Sequence, residues 1–327
     1  MRKPYALFLI FVFAAVICLC SCTGPYHEDV SGAKIVRINT SATIASCIQQ
    51  TIQMNRLLEK YLPGDVALEW TNIAATPDIR DALVANKIDI GSFSVASYIS
   101  TIENGMPLVI LSGTLPQTNE LVTTRSDINS FSDITERHKI VMLSRGSSAE
   151  LAFALRCKEV FGDPVIYSQN IVIVPNTEMA AMIRGADEYD LYAPAFPFLQ
   201  QMLELDNVRL IDGLTDTAVR YCVGSVIVAT EGFREKNPTV IDAFHKAAGE
   251  AVEYLNGNTE EAAQRLASLY GEDVDPEDVV AVLKKCPPSL AVSGYDEIAD
   301  LLLEMGILAK PAKRFSELPY YDEIPKE

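Results

Sequence analysis

Apolar positions along this chain fall into two rounds of short strand-like runs alternating with helix-spaced ones, ahead of a stretch that is helical throughout. Ile35-Val36-Arg37-Ile38 predicts a strand, and the spacing of Ile44, Ile48, Ile52, Leu57 and Leu58 predicts a helix over Thr43–Tyr61. Leu62-Pro63-Gly64 stops it. Val66 to Trp70 alternates as a second strand. Thr76-Pro77 predicts a helix start, with Thr76 as N-cap and proline at the first helical position, running to about Asn86. A third strand is expected at Ile88-Asp89-Ile90, a third helix over Val95–Asn104 ended by Gly105-Met106-Pro107, and a fourth strand over Leu108–Leu111.

The second round follows Phe131-Ser132-Asp133. Lys139–Leu143 predicts a strand, and Ser147-Ser148-Ala149-Glu150 has the form of a capping box opening a helix to about Phe161, broken by Gly162-Asp163-Pro164. Strands are expected at Ile171–Val174, Asp190–Tyr192 and Val208–Ile211, with helices at Thr177–Arg184 and Phe196–Leu205. Two such rounds predict an α/β protein of two lobes, each with a mainly parallel sheet; the alternative is one large doubly wound domain. Val223–Ala229 adds one more strand, and four helical segments follow: Pro238–Asn256, Thr259–Tyr270, a helix from the Asp275 N-cap to Cys286, and Tyr295–Met305. Short crossings near Val122 and Tyr221 divide the chain into a discontinuous lobe (33–121 plus 222–311), a second lobe (122–221) and a tail (312–327). Two short crossings make a hinge.

The N-terminus has a separate character. Arg2 and Lys3 precede an apolar run from Tyr5 to Leu19, which has the charged and apolar regions of a secretory signal. About 15 apolar residues fall short of the roughly 20 that a membrane-spanning helix needs. Leu19-Cys20-Ser21-Cys22 resembles a lipobox, which implies a signal peptide over 1–21, lipidation of Cys22 and an extracytoplasmic protein tethered to the membrane surface of the cell envelope. An ordinary cleaved signal or a membrane anchor is the alternative. Without Arg2 and Lys3 the net charge moves from -17 to about -19, which disfavours nucleic acid and anionic lipid as partners. Cys47, Cys157, Cys222 and Cys286 are scattered without C-x-x-C spacing, and His27, His138 and His245 lie far apart, so no metal site or cofactor is expected.

Several motifs now combine. Leu68-Glu69-Trp70, Asp81-Ala82-Leu83, Ile88-Asp89-Ile90-Gly91 and Gly105-Met106-Pro107-Leu108 resemble those of the nitrate, sulfonate and thiamine-precursor group (SsuA/THI5/NMT1-like) of ABC transporter substrate-binding proteins. The resemblance spans Ile35 to Pro311 and implies a two-lobed type II periplasmic-binding-protein fold with a hinge and a helical C-terminal region. Asn86 stands where the group has glycine, and asparagine also tolerates the left-handed cap. Ala181-Met182-Ile183-Arg184-Gly185 echoes the motif in the second round, with Ala186-Asp187-Glu188-Tyr189-Asp190 inserted before the strand.

Ligands of open α/β sheets sit beyond the carboxyl ends of strands, near helix N-termini. The expected site residues are therefore Thr40, Ser41, Asn72, Ser92, Phe93, Ser94, Ser112 and Thr114 in the first lobe, and Ser144, Arg145, Ser147, Ser148, Tyr192 and Phe196 in the second. Small hydroxyls with a few rings suit a compact polar solute with a planar or anionic head; each serine could equally be a plain cap or turn residue. Ser147 and Ser148 are the leading anion-site pair, Arg145 could hold an anion bidentately, and Arg220 could do so or form a hinge ion pair.

The resemblance implies a monomeric, lipid-anchored receptor that passes a small-molecule ligand to an ABC transporter permease. A ligand sensor is the alternative, as is an enzyme on the same fold, since relatives include cytosolic pyrimidine-synthesising and menaquinone-pathway proteins. Neither paired carboxylates nor Cys–His or Ser–His arrangements stand at the strand ends, and His138 precedes its strand, so no enzyme activity is expected.

Overall fold

A computed structural model describes residues 27–28, 34–116, 120–184, 189–221 and 223–326. The expected signal peptide over 1–21, Cys22, Ala186 to Glu188 of the insertion, and Cys222 lie outside the described residues. In chain order, β1 (His27–Glu28), β2 (Lys34–Thr40), α1 (Cys47–Met54), β3 (Val66–Asn72), α2 (Thr76–Val84), β4 (Ile90–Ser94), α3 (Val95–Glu103) and β5 (Leu108–Pro116) come first. After a crossing follow β6 (Leu121–Thr123), β7 (Ile140–Met142), α4 (Ser148–Phe161), β8 (Ile171–Ile173), α5 (Asn176–Met182), β9 (Leu191–Ala193), α6 (Phe198–Leu203), β10 (Arg209–Asp212) and α7 (Leu214–Arg220). The chain then returns into β11 (Gly224–Thr230) and α8 (Glu231–Lys236), α9 (Pro238–Gly257), α10 (Thr259–Tyr270), α11 (Pro276–Lys285) and α12 (Tyr295–Glu304).

One sheet runs β1-β2-β4-β11-β5 with β3 also on β2, and the other runs β10-β6-β9-β7-β8. Both are mixed, not mainly parallel as expected: β2, β3 and β4 share a direction, as do β7, β8 and β9, β1 runs against β2 at the edge, and β11 and β6 run against both of their neighbours. These last two strands are the ones entered from the crossings. Against the first sheet, α9 lays a stripe of Val240, Phe244, Ala247, Ala251 and Leu255, all inaccessible to solvent, beside α1 and α10. Burying a phenylalanine such as Phe244 contributes roughly 1.5–3 kcal/mol. The opposite face carries α2 and α3, whose core runs on through α12 and α4 into the second sheet.

Most predicted elements appear, with instructive shifts. The single helix expected over Thr43–Tyr61 is instead a 3-10 turn, α1 and a second 3-10 turn over Leu58–Lys60. Arg56 adopts φ 50, so Leu57 N–H reaches Ile52 O (3.0 Å) and Arg56 N–H reaches Gln53 O (3.2 Å). This is the left-handed closure usually made by glycine, and the apolar spacing continues through it unbroken. Asn86, at φ 52, closes α2 in the same way, as its residue type predicts. Thr76 is not the N-cap but the first helical residue, after Ala75. β4 and β5 extend to Ser94 and Pro116, because β11 pairs with them along that added length. Lys285 at the end of α11 lies 3.4 Å from Glu120 and 3.1 Å from Asp216 of α7, bracing the crossings; burial pushes the Glu120 carboxyl upward while Lys285 draws it down.

Candidate functional site

A cleft of about 510 Å³ lies between the helices of the first sheet and the strand-end turns of the second. On one wall α2 supplies Thr76 and Arg80, and α3 supplies Ser97, Ser100 and Thr101. The latter three stand at i, i+3 and i+4, so their hydroxyls share one helix face. Ser144, Arg145, Gly146 and Glu150, from the turn between β7 and α4, form the other wall, with Val165, Met305 and Ile307 as apolar edges. Hydrogen bonds join the two walls at the Gly146 carbonyl, to which the Ser94 and Ser97 hydroxyls both donate, at 2.9 and 3.4 Å. Ser94 also caps α3 by accepting from Ser97 N–H at 3.1 Å. Gly146 sits at φ 69, a conformation that glycine adopts without strain.

The N-terminus of α4 already holds an anion of its own. Ser147 caps it, accepting Glu150 N–H at 3.3 Å, while the buried Glu150 carboxylate accepts Gly146 N–H at 2.5 Å and Arg145 Nη1 at 2.6 Å. Arg145 further donates to the carbonyls of Ser168 (3.0 Å) and Ile171 (3.3 Å). Ser147 is thus spent as a cap, Ser148 is buried in the first helical turn, and Arg145 is braced by a carboxylate rather than held free for a ligand. By contrast no side chain caps α2, so its positive dipole end meets the cleft at Thr76. Arg80, one turn on, is half-exposed, and its guanidinium lies 3.1 Å from the neighbouring Asp81 carboxylate.

Of the residues expected from the sequence, Ser144 and Arg145 line the cleft and Ser94 borders it. Thr40 and Asn72 pair across the ends of β2 and β3, and Ser41 belongs to a hydroxyl cluster in the next turn. Ser92 and Phe93 lie within β4, and Ser112 and Thr114 within β5, paired with β11; Thr114 lines a smaller hollow of about 300 Å³ behind the sheet. The expected ring stacking is not seen in the cleft, because Phe93, Tyr192 and Phe196 are buried in three separate cores. Arg220 pairs with Glu159 of α4. Thr76, Arg80, Ser97, Ser100, Thr101, Glu150, Met305 and Ile307 were not expected. The polar stripe on α3, interrupting an apolar helix, is the sequence signal that marks three of them, Ser97, Ser100 and Thr101.

A family model described as NMT1/THI5 like matches residues 65–262. No curated protein sequence matches the chain. Among solved structures, the alkanesulfonate-binding protein SsuA of Xanthomonas axonopodis pv. citri bound to MOPS superposes with TM-score 0.69 at 19% identity, covering 84% of this chain and 94% of that one. The periplasmic aliphatic sulphonate binding protein SsuA of Escherichia coli gives 0.68 at 22% identity, covering 87% and 92%. A ligand-binding component of an ABC-type import system from Staphylococcus aureus, with zinc bound, gives 0.73 at 15% identity, covering 90% and 99%. At these identities the likeness is one of fold, the periplasmic-binding-protein fold.

Proposed function

The chain belongs to the NMT1/THI5-like family, and from that premise we propose that it is a monomeric solute-binding protein of an ABC importer, working outside the cytoplasm. The observation that carries this reading is the cleft whose walls come from different sheets and meet at the Gly146 carbonyl. The lobes are residues 33–121 with 222–311, and 122–221, with the crossings as hinge. Solute bridging the walls favours the closed form by its differential affinity for it, and the closed form docks on the permease. The solute is a small organic anion: its charged head lies at Thr76 and Arg80 beside the α2 N-terminus, and an apolar portion lies against Met305 and Ile307. Hydroxyls and aliphatic edges favour a sulfonate-like head on an aliphatic body over a planar ring.

Calorimetric titration with short alkanesulfonates, nitrate and pyrimidines tests this. Arg80→Ala is expected to weaken sulfonate binding at least tenfold, since a hydrogen bond to a charged group is worth roughly 1.5–3 kcal/mol. Unchanged affinity in that variant, or no binding by any of the panel, would count against the reading. The lipobox-like stretch supports a tether at Cys22, a stable one because each buried acyl CH₂ adds about 0.8 kcal/mol. Metabolic labelling with an alkyne fatty acid should mark the full chain in a bacterial host and fail on Cys22→Ala; equal labelling of both removes the tether.

A further inference from the structure

The turn after β2 packs three hydroxyls together: Ser41 Oγ lies 2.9 Å from Thr43 Oγ1 and 2.8 Å from Ser46 Oγ, which also accepts Ser41 N–H at 3.1 Å. Gln50 of α1 pins the turn from below, its Nε2 donating to the Ser41 carbonyl at 2.6 Å. The other end of that amide, Oε1, accepts from Tyr270 Oη at 2.8 Å. Tyr270 ends α10, and its ring stands edge-on to Phe196, with centroids 5.8 Å apart and planes at 83°. Phe196 belongs to the second sheet's segment between β9 and α6, yet it is buried in the first sheet's core with Ile44 and Cys47. Two side chains therefore connect an aromatic ring of one lobe to the strand-end turn of the other.

We propose that Tyr270 and Gln50 are positioning residues, through which the seating of Phe196 sets the hydroxyl turn Ser41–Thr43–Ser46, so that lobe closure and ordering of this turn are one event. The inference rests on the two-lobed solute-binding reading. Its physical basis is that Gln50 and Tyr270 are buried and bonded to each other, and a buried polar group left without its partner is costly. If Phe196 withdraws, the Tyr270 ring meets water, its hydroxyl is released from Gln50, and the amide no longer holds the Ser41 carbonyl.

Hydrogen exchange on the full chain tests this without any ligand. Tyr270→Phe keeps the ring and removes the hydroxyl, and it is expected to speed amide exchange over 41–46 about tenfold, leaving α9 and β5 unchanged. Phe196→Ala, a change in the other lobe, should speed the same amides by a similar factor, and the double variant should be no faster than either single one. Phe196→Leu replaces the alanine variant should that fail to fold. Wild-type exchange at 41–46 in the Phe196 variants, or additive effects in the double variant, overturns the proposal. Failure of the solute-binding reading shows separately, in the titrations of Arg80→Ala.

Discussion

Gly113→Ala is expected to cost about 3–5 kcal/mol of folding stability, although it adds a single methyl group. A Cβ at this position would lie 2.2 Å from the Ala291 carbonyl oxygen and 3.0 Å from its carbon, and both are backbone atoms that no rotamer change can move. The approach is close because Gly113 N–H donates to Leu290 O at 2.7 Å and Ser289 N–H donates to Thr114 O at 2.7 Å. Segment 289–291 thus extends the outer edge of β5, and the added methyl pushes it away. Overpacking of this kind costs about 1–3 kcal/mol, and each backbone hydrogen bond lost adds about 1 kcal/mol. Urea unfolding, followed by far-ultraviolet dichroism, reads the loss directly. A change below about 1 kcal/mol would show that the segment shifts without disturbing β5, leaving close approach as no reason for glycine.

Periodicity carries only local information, and the successes and misses divide along that line. Thr259–Tyr270 forms as spaced, Asp275 caps α11 by accepting Glu277 N–H at 2.8 Å, and Asn86 takes the left-handed cap. Each of these is decided within a few residues of sequence. The extent of β4 and β5 is decided by β11, more than a hundred residues later, and no local pattern carries that. Arg56 closes α1 in a conformation for which arginine gives no signal. Placing candidate residues at strand ends picks out Ser144 and Arg145, which line the cleft, but also serines that the longer strands hold inside a sheet. The expected rings lie away from the cleft for a related reason: position in sequence says that Phe196 follows a strand, and only packing says that it crosses into the other lobe's core. Glu150 reads as half of a capping box, yet its carboxylate turns to Gly146 N–H and Arg145 instead of back to the Ser147 backbone.

That carboxylate should be the most consequential side chain in the cleft wall. Glu150→Ala leaves Gly146 N–H without its acceptor at the end of α4 and takes from Arg145 its carboxylate partner, while Gly146 must still hold φ 69 to present its carbonyl to Ser94 and Ser97. Removing one member of a buried charged pair costs up to about 3–5 kcal/mol. Arg145 is half-exposed and recovers part of its interaction from water, so the expected loss is about 2–4 kcal/mol. Glu150→Gln keeps an oxygen for Gly146 N–H and should lose about half as much. The alanine variant also vacates an anion position at a helix N-terminus beside an arginine, so formate should raise its thermal midpoint saturably and leave wild type unmoved. Acetate, with an extra methyl group to fit in the vacated space, should do so less well. No loss in the glutamine variant, with no response of the alanine variant to formate, would mean that the shape of the side chain, and not its charge, holds this wall in place.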